Sequence, residues 1–257
     1  MTVEAIAPAV LIALVGAAVG SFLNVCIHRL PRHESVMNPP SQCPRCGRRI
    51  RWFENVPIVS WLALRARCAG CGERISVMYP LVELLTAVVF VAAYFKFGLT
   101  PLLAVRLLFA SAMIVLAITD LRERLLPNAI TYPGVAIGLL CSLFLPPGVV
   151  GALAGVLLGA GVPFLIAEAF YRLRGIEGLG MGDVKMLGMV GAFLGWQLAL
   201  FTLFAASVLG VLIGVPLTVL KRDRYYQIPL GTFLALGALV SAFAGEEIVQ
   251  WYAGLYR

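Results

Sequence analysis

Two aspartates at the edges of apolar segments are the residues of this sequence best suited to acid-base chemistry. One is Asp183 in GLGMGDVKM, where Gly180, Met181 and Gly182 complete a Gly-x-Gly-Asp turn that opens a long apolar stretch. The other is Asp120 in AITDLRERLLPN, at the end of another apolar stretch. If the two carboxyl groups are held close together, they share one proton, and one can act as a base while the other acts as an acid. The pair therefore predicts hydrolysis of the aspartic-protease kind, with water as the nucleophile.

Each aspartate also has a structural explanation. Asp183 could cap a helix, because aspartate is favoured at helix starts and is stabilised by the positive end of the helix dipole. Asp120 is harder to explain in this way, because it follows an apolar helix at its carboxyl end, where the dipole is negative. An ionisable group placed at such a cost near a membrane is a candidate functional residue.

Four cysteines form a second chemical pattern. They lie in two C-x-x-C motifs, Cys43 to Cys46 and Cys68 to Cys71, which are separated by 21 residues. This spacing is close to that of structural zinc sites with four thiolate ligands. A glycine follows each motif and predicts a tight turn there. A closed four-thiolate site leaves no open position, so the zinc would fold the loop rather than catalyse. Two unrelated redox or packing cysteine pairs are the alternative.

Composition places these motifs in a membrane protein. Hydrophobic residues make up 61% of the 257 residues, charged residues make up 13%, and the mean hydropathy is +0.94, which is far from a soluble domain. Because unpaired backbone groups are excluded from lipid, the long apolar runs must be helices. We therefore predict an all-α, polytopic membrane helix bundle with about eight transmembrane helices and a small zinc-binding loop domain. The apolar runs lie at residues 5–27, 79–97, 101–119, 129–145, 149–170, 184–196, 198–220 and 228–244.

Glycines predict where helices break and where they pack. The stretch 184–220 carries no charge after Lys185, and its 37 residues would rise about 55 Å as one helix, well beyond the thickness of a bilayer core. We therefore expect a turn near Gly195. In the first apolar run, Gly16 and Gly20 lie four residues apart, which would allow a second helix to approach closely.

Basic residues predict the orientation in the membrane. With the amino terminus outside, the cytoplasmic segments hold 17 of the 20 Lys and Arg residues. These segments are 28–78, 120–128, 171–185 and 221–227. The positive-inside rule favours this orientation, which puts Asp120 and Asp183 at the cytoplasmic face. The net charge of +7 is mostly this topology signal. No motif of alternating basic and aromatic residues indicates nucleic-acid binding, so membrane lipid is the expected surrounding.

The order of the motifs resembles that of bacterial prepilin peptidases, also called type IV leader peptidases. The matching blocks are GSFLNVCIHRLP at 20–31, the two C-x-x-C motifs, ISVMYPLVELLT at 75–86, the Asp120 segment, GMGD at 180–183 and IPLGTFLA at 228–235. The resemblance implies that Asp120 and Asp183 are the catalytic pair of a Gly-x-Gly-Asp intramembrane aspartyl protease. It also implies removal of the short basic leader of type IV prepilins and pseudopilins after a glycine, at the cytoplasmic face of the bacterial inner membrane. Many members then methylate the new amino terminus with S-adenosylmethionine.

The resemblance also suggests how the chain is organised. We expect a first transmembrane helix at 1–27, a cytoplasmic zinc-binding loop domain associated with methyl transfer at 28–78, and a membrane-embedded aspartyl peptidase domain at 79–257. The loop is too small for a Rossmann-type methyltransferase, so no residue is assigned to the methyl donor. The last block reads IPLGTF, where the family more often has Phe after the Pro and a second Pro after the Gly. This departure puts the shape of the substrate cleft in question rather than the chemistry.

Other interpretations stay open at this point. A leader peptidase without methylation is one alternative. A proton-coupled transporter is another, and its carboxylates should lie near the middle of the bilayer on broken helices. A membrane scaffold would not explain why two aspartates lie at matching depth. Glu83 and Glu168 are either packing residues that pair with other polar groups, or residues with a direct role in the function. The sequence predicts neither the particular pilin substrate nor the oligomeric state.

Overall fold

The computed structural model describes residues 3–175, 179–214, 216 and 229–255. Over these ranges the protein is built from helices and loops, and its β-structure is limited to two isolated bridges in the first long loop. The all-α prediction is therefore confirmed for the described part of the chain.

The described ranges contain nine α-helices. In chain order they are α1 (Val3–Arg29), α2 (Val59–Ala63), α3 (Met78–Phe97), α4 (Pro101–Glu123), α5 (Asn128–Cys141), α6 (Gly148–Arg174), α7 (Met181–Leu194), α8 (Trp196–Leu209) and α9 (Leu230–Gly254). Short 3-10 turns lie at Leu30–Arg32 and Trp52–Asn55, and a π-helical turn at Gly210–Gly214 continues α8. Within these ranges, six helices are long and apolar enough to cross a membrane, namely α1, α3, α4, α6, α8 with its π-helical turn, and α9. The chain is a multi-pass membrane protein.

The predicted count of eight transmembrane helices is approximate. Each predicted run does contain a helix, but α5 and α7 have 14 residues each, fewer than the roughly 20 that a bilayer span requires. The run 129–145 overestimates α5, which ends at Cys141 ahead of a turn that holds two prolines. The run 101–119 underestimates α4, so Asp120 lies inside the last helical turn rather than after it. Part of the run 198–220 lies outside the described residues.

The break predicted near Gly195 is confirmed. Helix α7 ends at Leu194 and α8 begins at Trp196, and Gly195 between them has a φ of +84°. A residue with a side chain rarely adopts this conformation, whereas glycine adopts it without strain. The glycine therefore separates the buried helix α7 from α8.

The chain divides into two compact units, and the first is Met1–Val115. In this unit α1 packs directly on α3. A Cβ atom at Gly16 would lie 2.8 Å from the Cα atom of Ala87, and one at Gly20 would lie 2.7 Å from the Cα atom of Glu83. The close helix approach predicted from these glycines is confirmed.

The second unit, Leu116–Arg257, surrounds α7. Every residue of α7 from Met186 to Leu194 is buried. At the crossing with α6, a Cβ atom on either Gly155 or Gly191 would overlap the carbonyl oxygen of the other glycine. Because this backbone contact fixes α7, it also fixes the turn at the start of α7, which carries the Gly-x-Gly-Asp motif.

Candidate active site and candidate metal centre

Asp120 and Asp183 line one cavity of about 300 Å³ in the second unit. Asp120 projects from the last turn of α4 and Asp183 from the first turn of α7. The other lining residues are Arg124, Leu125, Leu126, Asn128, Gly180, Gly182 and Lys185. The structure therefore brings together the two aspartates that the sequence singled out, in a site large enough for water and a peptide backbone.

The Gly-x-Gly-Asp turn places Asp183 at this cavity. The N-cap of α7 is Gly180, so Asp183 is the third residue of the helix and not its capping residue. Its N–H group donates a hydrogen bond to the carbonyl oxygen of Gly180 at 3.0 Å. A Cβ atom at Gly180 would lie 3.2 Å from Oδ2 of Asp183, and one at Gly182 would lie 3.2 Å from the Cβ atom of Leu126. The two glycines therefore allow the turn to pack against its own carboxylate and against the cavity wall.

Asp120 is buried, with 6% of its surface exposed, and is held by the start of α9. Its Oδ2 atom accepts a hydrogen bond from the backbone N–H of Thr232 at 2.6 Å, and the Thr232 hydroxyl lies 3.1 Å from the same oxygen. Thr232 is the third residue of α9, so its N–H group has no acceptor within the helix. The positive amino end of α9 therefore offsets the unfavourable position of Asp120 at the carboxyl end of α4.

A glycine allows α9 to come this close. A Cβ atom at Gly231 would lie 2.9 Å from Cγ of Asp120 and 3.0 Å from Cδ1 of Leu126. Gly231 and Thr232 of the IPLGTF block therefore both lie against Asp120. Ile228, the first residue of that block, lies outside the described residues.

Two cations that the sequence analysis did not single out also line the cavity, namely Arg124 and Lys185. The Lys185 Nζ donates a hydrogen bond to Oδ1 of Asn128 at 3.0 Å and lies 5.1 Å from the centre of the Tyr132 ring. Their distance in sequence from the aspartates could have identified both cations. Arg124 follows Asp120 by one helical turn, and Lys185 follows Asp183 by two residues. The positive charges of Arg124 and Lys185 offset the negative charge of the carboxyl groups and keep the cavity polar.

The two glutamates that the sequence left open have other partners. In the first unit, buried Glu83 accepts a hydrogen bond from the backbone N–H of Ile58 at 2.7 Å, which ties the loop to α3. In the second unit, Glu168 forms an ion pair of 2.7 Å with Arg172 on the surface of α6. Neither glutamate is among the residues that line the aspartate cavity in the described chain.

The four cysteines of the first unit come together as a cluster. Their Sγ atoms all lie within 4.8 Å of one another, and those of Cys43 and Cys71 are 3.8 Å apart. Zn–S bonds of about 2.3 Å in a tetrahedron place the sulfur atoms about 3.8 Å apart, whereas a disulfide requires about 2.05 Å. The cluster therefore has the dimensions of a four-coordinate metal site.

The two C-x-x-C motifs adopt the same local turn. The N–H groups of Gly47 and Gly72 donate to the carbonyl oxygens of Cys43 and Cys68, each at 2.9 Å. Both glycines have positive φ angles, +69° and +72°, which glycine adopts without strain. The tight turns predicted after the motifs are confirmed, and they aim both pairs of sulfur atoms at one point.

The local backbone favours a thiolate at one corner of the cluster. The N–H groups of Cys71 and Gly70 lower the pKa of the Cys68 thiol to about 6. At Cys71 the N–H of Glu73 lowers the pKa, but burial and hydrogen bonds with Cys46 and the other thiols together raise it to about 11. Because a metal binds thiolates, one sulfur is ready for an ion at neutral pH and another must release its proton as the ion binds.

Comparison with known proteins places the chain in a family. The model of the bacterial peptidase A24 N-terminal domain matches residues 14–97, and that of the type IV leader peptidase family matches residues 107–215. A relative from Pseudomonas putida is 38% identical over 96% of this chain and 95% of its own length. The chain belongs to the type IV leader peptidase family. The four clustered cysteines fall in the first of these matches and both cavity aspartates in the second.

Other relatives in the type IV leader peptidase family support this assignment. One from Myxococcus xanthus (strain DK1622) is 44% identical over 80% of this chain, and the alignment spans 62% of that relative. One from Aeromonas salmonicida (strain A449) is 38% identical over 94% of this chain and 92% of its own length. All three relatives are named "Prepilin leader peptidase/N-methyltransferase". No solved structure matches the chain.

Proposed function

We propose that this protein is a membrane aspartyl endopeptidase that removes the short basic leader of type IV prepilins and pseudopilins after a glycine. It then methylates the new amino terminus with S-adenosylmethionine. The observation that carries the peptidase activity is the cavity shared by Asp120 and Asp183 in a member of the type IV leader peptidase family. The names of its relatives support the methyl transfer, to which we assign no residue.

The two carboxyl groups divide the acid and base roles. Close carboxylates resist joint ionisation, so the pair holds one proton in the resting enzyme. The ionised aspartate takes a proton from water, and the resulting hydroxide attacks the carbonyl carbon of the scissile glycine peptide. The protonated aspartate polarises the carbonyl oxygen and then donates a proton to the leaving amine. The water proton stays on the first aspartate, so the pair again holds one proton when the products leave.

The positions of the aspartates favour a peptidase over a proton-coupled transporter. A transporter site would require carboxylates at breaks in the middle of membrane spans. Asp120 lies in the last turn of α4 and Asp183 in the first turn of α7. Both carboxylates therefore lie at helix ends, where the backbone of an extended substrate has access.

We propose the orientation given by the basic residues, with the amino terminus outside the bacterial inner membrane and the aspartate cavity facing the cytoplasm. In this arrangement the loop 28–78 helps to hold the soluble methyl donor, and the region 79–257 performs the cleavage. Protease added to intact spheroplasts should cut a tag on the amino terminus and spare a tag inserted in the loop. The reverse accessibility would contradict the orientation.

Purified protein incubated with a prepilin and S-adenosylmethionine tests the function directly. The expected product has lost the leader and gained one methyl group, as measured by mass spectrometry. A product with the leader removed and no methyl group would identify a leader peptidase without methylation. An uncleaved prepilin would contradict the proposed function.

We propose zinc as the ion held by Cys43, Cys46, Cys68 and Cys71, in a structural role. Four thiolates in a tetrahedron suit zinc, and with four protein ligands no position is left for a substrate. When bound, the ion would fix the two C-x-x-C turns to each other and so order the loop. It takes no part in peptide hydrolysis.

Serine at any one of these four positions is expected to remove the zinc and the order of the loop. Three remaining thiolates and a neutral hydroxyl bind the ion much more weakly, and binding and loop folding are coupled. Metal analysis of the purified variants and limited proteolysis of the loop measure both effects. Cys141→Ser is the matched control, because Cys141 lies in α5 outside the cluster and its loss should leave the zinc in place. Intact protein without zinc would contradict the assignment.

A further inference from the structure

Thr232 contacts the end of α4 with both of its polar groups. Its backbone N–H donates to Oδ2 of Asp120 at 2.6 Å. Its hydroxyl oxygen lies 3.1 Å from the same Oδ2 and also 3.1 Å from the carbonyl oxygen of Ala117. Thr232 therefore contacts Asp120 through Oδ2 alone and makes no contact with Oδ1.

The single hydroxyl hydrogen of Thr232 faces two acceptors. A carbonyl oxygen can only accept a hydrogen bond, whereas a carboxyl oxygen accepts when ionised and can donate when protonated. When Asp120 is ionised, the hydroxyl donates to Oδ2. When Oδ2 is protonated, the hydroxyl turns to donate to Ala117 and accepts a hydrogen bond from the Oδ2–H group. Rotation of one O–H bond therefore gives Asp120 a partner in both protonation states.

We propose that Thr232 is a positioning residue for Asp120, whose hydroxyl rotation keeps the buried carboxyl group hydrogen-bonded and fixed as it gains and loses a proton. This inference rests on the proposed function, in which each aspartate changes protonation state during the reaction. A buried polar group that loses its hydrogen-bond partner is destabilised. Because the Thr232 hydroxyl can pair with both the ionised and the protonated carboxyl group, the surrounding residues need not rearrange when the proton moves. With Oδ2 held by Thr232, Oδ1 is the oxygen left to bind the attacking water.

The other charged groups at this cavity do not supply the same function. Asp183, Arg124 and Lys185 line it and set the electric field around Asp120. A hydroxyl group differs from them because it can reverse from donor to acceptor without changing charge.

Thr232→Val tests the inference, because valine keeps the backbone N–H group and the shape of threonine but removes the hydroxyl. We expect kcat for prepilin cleavage to fall by about 10- to 100-fold, with little change in KM, because the lost hydrogen bond matters while the proton moves. Thr232→Ser keeps the hydroxyl and should restore most of kcat. Thr202→Val is the matched control, because Thr202 is buried in α8 and its hydroxyl bonds Leu198 and Ser241 instead. It should retain the kcat of the wild type.

Three results would overturn the inference. They are a wild-type kcat in Thr232→Val, an equal loss of kcat in Thr232→Ser, and a change confined to KM. If Thr232→Val does not accumulate as folded protein, Thr232→Ala compared with Thr232→Ser makes the same test. Wild-type protein that fails to cleave prepilin would overturn the proposed function together with this inference. Wild-type cleavage combined with an unaffected valine variant would overturn the inference alone.

Discussion

Asp120→Asn and Asp183→Asn are each expected to slow leader removal by at least about 10³-fold while the protein stays folded and inserted. Asparagine nearly keeps the shape of aspartate, and its carbonyl oxygen can still accept the N–H hydrogen bond from Thr232. It can neither take a proton from water nor deliver one to the leaving amine. Cleavage of prepilin by the purified variants measures the loss, and the zinc content and thermal stability of each variant report on its fold.

A carboxylate outside the cavity provides the matched control for these variants. Glu168→Gln makes the same carboxylate-to-amide change on the surface of α6, where it removes the ion pair with Arg172, the one ion pair that Glu168 forms among the described residues. Exposed pairs of this spacing contribute about 0.3–0.5 kcal/mol, so the variant should cleave at the wild-type rate. A near wild-type rate in either aspartate variant would exclude that residue from the acid-base mechanism.

Methyl transfer is expected to survive the loss of either aspartate. Transfer of a methyl group to an amine requires a neutral nitrogen and a positioned donor, but it does not require a hydrolytic carboxylate pair. Asp120→Asn and Asp183→Asn should therefore still methylate a pilin peptide that has already been cleaved. Methyl incorporation into this peptide, measured in parallel with cleavage of full prepilin, separates the two activities.

Variants of the cysteine cluster are expected to show the opposite pattern. The cluster belongs to the first unit, whereas the aspartate cavity belongs to the second. Cys43→Ser should therefore reduce methylation more severely than cleavage, and Cys141→Ser should affect neither activity. If folded Asp183→Asn lost both activities equally, a shared site at the membrane edge would have to replace this separation.

The sequence predicted those parts of the fold that depend on local chemistry. Apolar composition alone required helices, and the length of the stretch 184–220 required the break that the structure has at Gly195. The spacing of Gly16 and Gly20 predicted the close packing of α1 on α3. Helix ends were predicted less well, because whether a polar residue such as Asp120 ends a helix depends on what packs against it.

The surroundings of the aspartates could not be predicted in the same way. Sequence position showed that Asp120 lies at the unfavourable end of a helix, but the group that compensates is 112 residues away, at the amino end of α9. No local pattern links Thr232 to Asp120, because the contact depends on how α4 and α9 pack. The hydrogen bond between Glu83 and Ile58 has the same origin, since it depends on how the loop folds onto α3.

The contact between α6 and α7 bears on how genetic screens of this protein should be interpreted. Any side chain at Gly155 or Gly191 adds atoms where the backbone of the facing helix already lies, which would displace α7 together with Asp183. A screen for lost leader removal would therefore score substitutions at Gly191 and at Asp183 alike. Cellular abundance distinguishes them, because proteases remove misfolded Gly191 variants whereas Asp183→Asn accumulates at the normal level. Intolerance to substitution identifies a catalytic residue in this protein only where the inactive variant persists in the membrane.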